Sequence, residues 1–178
     1  MVEEKTLREK VLMVRRVAKV VEGGKRLHFN ALVAVGDGDS MVGIGYATAN
    51  ELIDAVRKAI NKAKKNMFKV KFQRKQRTIP HEVEIKYKSC KLVMKPAAPG
   101  TGIIAETNLR SILELAGYHD VITKIIGSTN PILVSKVAVL ALNSLESLEE
   151  VANRRGIPIS RLLATFATEK EGNFNNKP

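Results

Sequence analysis

The chain has 178 residues, enough for one domain or two small ones, and 44% of them are hydrophobic, which suffices for a packed core. Its net charge of +12 favours a polyanionic partner, and no apolar run approaches the ~18 residues of a membrane span. A single cysteine, Cys90, excludes an internal disulfide and a multi-cysteine metal site, and no apolar signal segment follows the charged N-terminus.

The positive charge is concentrated in the first half of the chain. Residues 1–80 hold 18 basic and 8 acidic residues, whereas residues 81–178 hold 12 and 10. Between Arg57 and Arg77 lie ten basic residues, and no Asp or Glu occurs between Asp54 and Glu82. This distribution predicts a polyanion-binding surface on the first half and a nearly neutral second half.

The first half is predicted to form an antiparallel sheet of three strands. The β-branched run from Val11 to Val21 is the first strand, and we expect the residues before it to fray. A break at Glu22-Gly23-Gly24-Lys25 precedes a second strand from Arg26 to Gly36, in which apolar residues alternate. Asp37-Gly38 supplies a hairpin turn to a third strand from Met41 to Tyr46.

A helix follows the third strand, with Thr48 or Asn50 as the expected N-cap. Its apolar residues recur at helical spacing and its cations crowd the C-terminal end, which complements the helix dipole. The predicted buried residues are Leu52, Val56, Ile60, Ala63 and Met67. Gly43-Ile44-Gly45, just before this helix, lacks the third glycine of a dinucleotide-binding turn, so we interpret it as close helix–sheet packing.

The second half begins where Thr78-Ile79-Pro80 interrupts helical structure. Strands are predicted from Glu82 to Lys88, from Lys91 to Lys95 and from Val121 to Ile126. One helix is predicted to end at Gly117, with its buried stripe formed by Ile104, Leu109, Ile112, Leu113 and Ala116. A second helix is predicted to run from Pro131 to about Ser144, with a capping side chain among the residues that precede Pro131. Short helices at Ser147 to Arg155 and Ile159 to Leu163 complete the prediction.

The predicted fold class is therefore α+β, with an N-terminal three-stranded antiparallel sheet plus helix and a C-terminal β-α-β-α domain. The predicted boundaries are residues 5–77 for the N-terminal, polyanion-binding domain, 78–165 for the C-terminal domain and 166–178 for a disordered tail.

No residue set predicts a catalytic, metal or cofactor site. His28, His81 and His119 are scattered without metal-ligand spacing. Pro99-Gly100-Thr101-Gly102 precedes a predicted helix, and such a loop can cradle phosphate, but it lacks the Gly-Lys-Ser/Thr end of a P-loop. Small-molecule kinases of the galactokinase type share this domain architecture and are one alternative, but the serine run that follows their glycine-rich turn is missing here. A free-standing double-stranded-RNA chaperone is another alternative.

The basic residues are predicted to bind folded RNA. Aromatic residues make up only 4% of the chain, which argues against a single-strand binder that needs stacking platforms and favours backbone and shape recognition. The candidate RNA-binding residues lie on the first hairpin and the first helix: Arg15, Arg16, Lys19, Gly23, Gly24, Lys25, Arg26, Arg57, Lys58, Lys62, Lys64 and Lys65.

Seven motifs in order, among them RVAKVVEGGKR, VGIGYA, KPAAPGTGIIA and IGSTNP, resemble the family of bacterial small-subunit ribosomal protein S5, in register from about Glu4 to Leu163. The resemblance implies a double-stranded-RNA-binding-like N-terminal domain and a structural role in subunit assembly and translational accuracy. It implies small-subunit ribosomal RNA, ribosomal proteins S4 and S8 and the messenger RNA entry path as partners, with Gly102 and Arg110 at the S4 contact. We expect a cytoplasmic, ribosome-bound protein of a bacterium or of an organelle of bacterial descent, without membrane association.

Overall fold

The structure is a computed structural model that describes residues 7–73 and 77–159. The described residues up to Leu145 form one compact unit, and those from Glu146 form a second. The fold class is α+β, as predicted, and the described residues together contain two four-stranded sheets and four helices.

The first sheet is antiparallel, with the strand order β1-β2-β3-β4, and a helix follows its third strand. The predicted three-stranded meander is present, and the connector between the two sheets (residues 68–80) adds a short fourth strand at its edge. The elements are β1 (Arg8–Val21), β2 (Gly24–Gly36), β3 (Met41–Ala49), α1 (Leu52–Lys65) and β4 (Phe68–Lys69).

Several predicted ends of these elements are wrong. Residues 8–10 pair with β2 instead of fraying, and the turn contains only Glu22 and Gly23. Thr48 lies in β3, where its hydroxyl donates a hydrogen bond to the Asn30 side-chain oxygen across the sheet (2.8 Å). Neither Thr48 nor Asn50 is the N-cap of α1: Glu51 holds that position and makes no side-chain capping bond.

Helix α1 lies close to the sheet because small residues face each other. Its fully buried residues are Ala55, Ala59 and Ala63, whereas Leu52, predicted to be buried, is 42% exposed. A Cβ added to Gly45 would lie 2.0 Å from the carbonyl oxygen of Ala59. The interpretation of the two glycines of β3 as packing residues is therefore confirmed.

Strand β2 is buried on both faces from Ala31 to Gly36. Its residues Ala31, Val33 and Val35 pack with the alanines of α1 in one apolar cluster. Ala34, on the opposite face, belongs to a larger cluster with the helices of the second half. The regular alternation predicted for this strand describes only the face toward α1.

The second sheet has the order β5-β6-β8-β7, with one parallel pair, β7 and β8. Helix α2 connects this parallel pair. Ile104, predicted in the helix, lies in β7 and is half exposed. The elements are β5 (Val83–Tyr87), β6 (Cys90–Pro96), β7 (Ile103–Ile104), α2 (Thr107–Ala116), β8 (Val121–Gly127) and α3 (Pro131–Ser144).

The predicted C-terminal end of α2 and the predicted start of α3 are confirmed. Gly117 ends α2 in the left-handed conformation (φ +92°), and the Asn130 side chain caps α3 ahead of Pro131. In the second unit, α4 (Leu148–Arg155) begins with a reciprocal capping box between Ser147 and Glu150. The predicted helix from Ile159 and the tail 166–178 lie outside the described residues, except for Ile159 itself.

No single described helix is long and apolar enough to cross a membrane. Pro131–Ser144 and Leu148–Arg155 meet that requirement only when they are taken together, by length and composition alone. In the first of these helices Val134, Val137, Ala138 and Ala141 are buried in the core.

The connector between the two sheets is fastened at several points. The Tyr118 hydroxyl donates to the carbonyl oxygen of Lys71 (2.8 Å), and the Tyr118 ring lies 4.8 Å from that of Phe72, centroid to centroid. Arg77 donates to the Asp39 carboxylate (3.0 Å) and to the Gly38 carbonyl (3.2 Å) in the β2–β3 turn. The domain boundary near Arg77 stays a prediction.

The buried Tyr118 predicts a loss of stability at alkaline pH. Burial raises the pKa of its phenol above the usual value of about 10. The stability that the neutral phenol contributes is complete below pH ~10 and is lost as pH rises further, because the unfolded chain then releases the proton and the folded chain does not.

Urea unfolding of the wild type and of Tyr118→Phe at pH 8 and near pH 11 measures this effect. At pH 8 the variant should be less stable by about 1 kcal/mol, since it lacks the hydrogen bond to Lys71. Near pH 11 the difference should shrink or reverse. Parallel losses in both proteins would show that Tyr118 does not stay neutral in the fold.

Candidate nucleic-acid interface

The first hairpin extends beyond the rest of its sheet. Strand β3 pairs with β2 only as far as Phe29, so residues 17–28 form a two-stranded arm that ends in the turn at Glu22 and Gly23. Five residues of β1 lie in this hairpin arm, which gives it a reach of roughly 16 Å. Gly23 has φ +89°, a conformation that glycine adopts readily.

The five predicted cations of the hairpin lie on two different faces. Lys19 is paired with Arg26, and Arg15 shares their face because side chains alternate along a strand. Arg16 and Lys25 project from the opposite face, the one that α1 covers farther along the sheet. All five side chains are exposed and form no ion pair within the described part of the chain.

The cations of α1 are also divided between two sides. Lys58, Lys62 and Lys65 recur at intervals of four and three residues, so they form one exposed stripe along the helix. Lys62 donates to the backbone carbonyl of Tyr46 in β3 (3.2 Å), which places this lysine stripe on the β3 side.

Arg57 and Lys64 lie on the other side of α1, beside an apolar groove of about 560 Å³ that includes Val56 and Ile60. Lys64 also forms an ion pair with Glu9 of β1 (2.9 Å), which offsets part of its charge. The sequence-predicted site therefore comprises two separate surfaces on the helix and two on the hairpin arm.

The two residues predicted at a protein contact are close together. Arg110 donates through Nε and Nη2 to the carbonyl oxygen of Ile103 (3.2 and 2.7 Å), directly after Gly102. The Gly102 amide donates to the Asp120 carboxylate (2.9 Å), and Gly102 has φ +75° with open space around its Cα. Arg110 and Asp120 thus hold this loop in one shape at the protein surface.

Several amides that could bind a phosphate near the glycine-containing loop already have hydrogen-bond partners. The Gly102 amide is taken by Asp120, and the first amides of α2 are taken by the Glu106 side chain, which accepts hydrogen bonds from Asn108 and Leu109 (3.0 and 3.2 Å). A carboxylate at both positions disfavours an anionic ligand. Among the described residues no group of three His, Cys, Asp or Glu side chains could hold a metal ion.

Sequence reasoning overlooked a cavity of about 470 Å³ between the first sheet and α3. It contains Tyr46 of β3, Tyr87 of β5 and Lys136 of α3, which are too far apart in the sequence for any local pattern to bring them together. The only local signal was Tyr46, a large aromatic residue that follows two glycines in a strand.

Because Gly102 has a left-handed backbone conformation, other residue types at this position are expected to destabilise the fold. Gly102→Ala should lower the free energy of unfolding by about 1–2 kcal/mol, because an L residue is strained at this φ although no atom would clash with its Cβ. Urea denaturation measures the change. Gly102→Asn is the matched control and should cost less, since Asn tolerates this conformation better; equal stability of all three proteins would contradict the geometry.

Comparison with known families gives two matches. The model of the N-terminal domain of ribosomal protein S5 matches residues 7–71, and the model of its C-terminal domain matches residues 85–155. Together the two matches cover more than half of the chain, in the order in which the two sheets occur.

Proposed function

The chain belongs to the ribosomal protein S5 family, and we propose that it is a structural, non-catalytic part of the small ribosomal subunit that clamps ribosomal RNA with its hairpin arm. In this role it supports subunit assembly and translational accuracy from a ribosome-bound, cytoplasmic position. The family is one of RNA-binding ribosomal proteins of the small subunit, without enzymatic function.

The hairpin arm is the observation that supports this proposal most directly. It carries Lys19, Lys25 and Arg26 on two strands without a third beside them, so both faces are open to a ligand. Basic side chains without carboxylate partners neutralise phosphates and release their counterions. A narrow arm of this kind suits a groove between RNA helices, where backbone contacts position the protein.

The lysine stripe on α1 supplies a second, less specific contact. Lys58, Lys62 and Lys65 point along one side of the helix, and the positive charges near its C-terminus are stabilised by the helix dipole. These lysines would hold phosphates without selecting a particular RNA structure. Arg57 and Lys64 are weaker candidates, because they border an apolar groove and Lys64 is already paired with Glu9.

Protein partners are assigned to the second sheet. Gly102 and Arg110 form a rigid surface loop, which suits the contact with ribosomal protein S4 that the family resemblance implies. Ribosomal protein S8 and the messenger RNA entry path complete the proposed surroundings. A kinase-like function on this loop is disfavoured by the carboxylates of Glu106 and Asp120 at the positions that a phosphate would need.

Sedimentation tests the ribosomal role against that of a free-standing RNA chaperone. The tagged full chain should migrate with small subunits in a sucrose gradient and remain with them at a salt concentration that removes loosely bound RNA-binding proteins. A protein that stays at the top of the gradient, or that follows all RNA equally, would contradict the proposal.

Charge removal on the hairpin arm tests the RNA contact. Lys19→Ala with Arg26→Ala should weaken binding to purified small-subunit ribosomal RNA and reduce the slope of log affinity against log salt by about 2, one for each lost phosphate contact. The control variant, Lys91→Ala with Lys95→Ala, removes the same charge from side chains that pair with Glu84 and Glu82.

For the control variant, the slope of log affinity against log salt should be nearly that of the wild type. Arg16→Ala with Lys25→Ala, measured alongside, removes the cations of the opposite face from the arm and from the residue just before it, and so identifies which face of the hairpin meets the RNA. Identical slopes for the wild type and both arm variants would exclude the arm as the contact.

A further inference from the structure

The cavity between the first sheet and α3 has features that the phosphate-binding surfaces lack. Its walls are mostly apolar, and at their edges Tyr46 and Leu140 are 37% and 43% exposed, so the cavity opens to solvent. Its volume of about 470 Å³ lies within the range of about 300–1,000 Å³ that is usual for small-ligand sites. The lining residues are Leu32, Ile44, Tyr46, Asn66, Tyr87, Ile132, Ser135, Lys136, Val139 and Leu140.

The polar groups of this cavity are available to a ligand. Within the described residues the side chains of Tyr46, Tyr87 and Asn66 make no hydrogen bond. Ser135 is buried, and its hydroxyl has no partner among the described residues either. Apolar walls combined with a few unpaired polar groups are typical of a binding site rather than of a core.

The charge around the cavity is positive. Lys136 lines it, Lys62 lies against the backbone of Tyr46 (3.2 Å to the carbonyl oxygen), and the Lys88 amino group lies 5.7 Å from the centroid of the Tyr87 ring. No Asp or Glu is among the lining residues. An occupant that carries negative charge beside a flat or apolar group would complement this arrangement.

We propose that this cavity receives an unpaired base of RNA, which stacks on Tyr46 or Tyr87 while its flanking phosphates meet Lys62 and Lys136. The inference rests on the proposed ribosomal RNA binding and adds a site for one nucleotide to it. Stacking on aromatic rings combined with cations is the usual way in which proteins hold single-stranded bases. Apolar walls alone would suit a protein segment equally well, but three amino groups and no lining carboxylate favour a phosphate-bearing ligand.

The positions of the tyrosines agree with this proposal. Two of the three tyrosines line the cavity, and the third, Tyr118, is buried beside the connector. A low overall aromatic content therefore does not exclude base stacking, because two tyrosines lie together at this cavity. The RNA need only expose one or two bases there, while the arm and the lysine stripe bind its backbone.

Ultraviolet crosslinking tests the site directly. The full chain is irradiated in complex with purified small-subunit ribosomal RNA and digested with protease and nuclease, and its peptides are analysed by mass spectrometry. A nucleotide adduct on Tyr46 or Tyr87 is expected. Adducts confined to the hairpin arm would overturn the proposal.

Binding measurements with three variants provide a second test. Tyr46→Leu with Tyr87→Leu removes the rings but keeps apolar walls, and should weaken binding about 5- to 150-fold, the range for the loss of a base–aromatic stack. Tyr46→Phe with Tyr87→Phe keeps both rings and should retain most of the affinity. Ile53→Ala, an exposed apolar position on α1 outside this cavity, should bind as the wild type does.

Thermal unfolding of each variant shows that it is folded before binding is compared. If the leucine variant binds as tightly as the wild type while the arm variants do not, the base site is wrong and the proposed function stands. If the wild type itself fails to bind this RNA, the proposed function fails.

A photoreactive residue at Leu140 in assembled subunits distinguishes RNA from protein at the cavity. A crosslink to RNA is expected, and a crosslink to a neighbouring protein overturns the proposal.

Discussion

The burial of residues 31–36 of strand β2 on both faces is the constraint on which the rest of the fold depends. On one face, the glycines of β3 and the alanines of α1 let the helix backbone approach the sheet, and a larger residue at Gly45 would collide with Ala59. On the other face, Ala34 packs with the helices of the second half. A Cβ added to Gly36, at the end of β2, would lie 2.3 Å from the Leu115 carbonyl, so the sheet also meets α2 without room for a side chain.

This arrangement also determines where the positive charge lies. The buried stripe of α1 consists of alanines and is narrow, so cations occupy both sides of the helix and form two surfaces instead of one. The hairpin arm extends past the buried part of the sheet, and alternation along its strands divides its cations between two faces. Arg77, which belongs to the basic stretch in the sequence, pairs with Asp39 in the β2–β3 turn and helps to join the two sheets. The basic surface that is available to RNA is therefore smaller than the number of basic residues suggests.

The sequence predicted what depends on neighbouring residues. The strands, the turn at Gly23, the end of α2 at Gly117 and the capped start of α3 were all recognisable, because each follows from local backbone preferences. The buried face of α1 was predicted in part: Ala63 is buried and Val56, Ile60 and Met67 pack against the same cluster, whereas Leu52 is exposed. Ala55 and Ala59 were missed, because only the glycines of β3 explain why small residues fit there. The site was predicted in part: the basic residues were identified, whereas their division between faces depends on strand register, which no single segment encodes.

The cavity beside α3 could not be predicted from the sequence, because its shape depends on how separate elements pack. Tyr46 comes from β3, Tyr87 from β5 and Lys136 from α3, so its shape depends on how the two sheets are held against each other. The contacts that hold them include the Arg77–Asp39 pair and the hydrogen bond between the amide of Gly38 and the carbonyl of Leu115 (2.9 Å). A ligand in this cavity would contact elements from both halves and would therefore favour the arrangement in which they are packed together. RNA bound there would stabilise the same arrangement of the two sheets that positions the hairpin arm and the loop at Gly102.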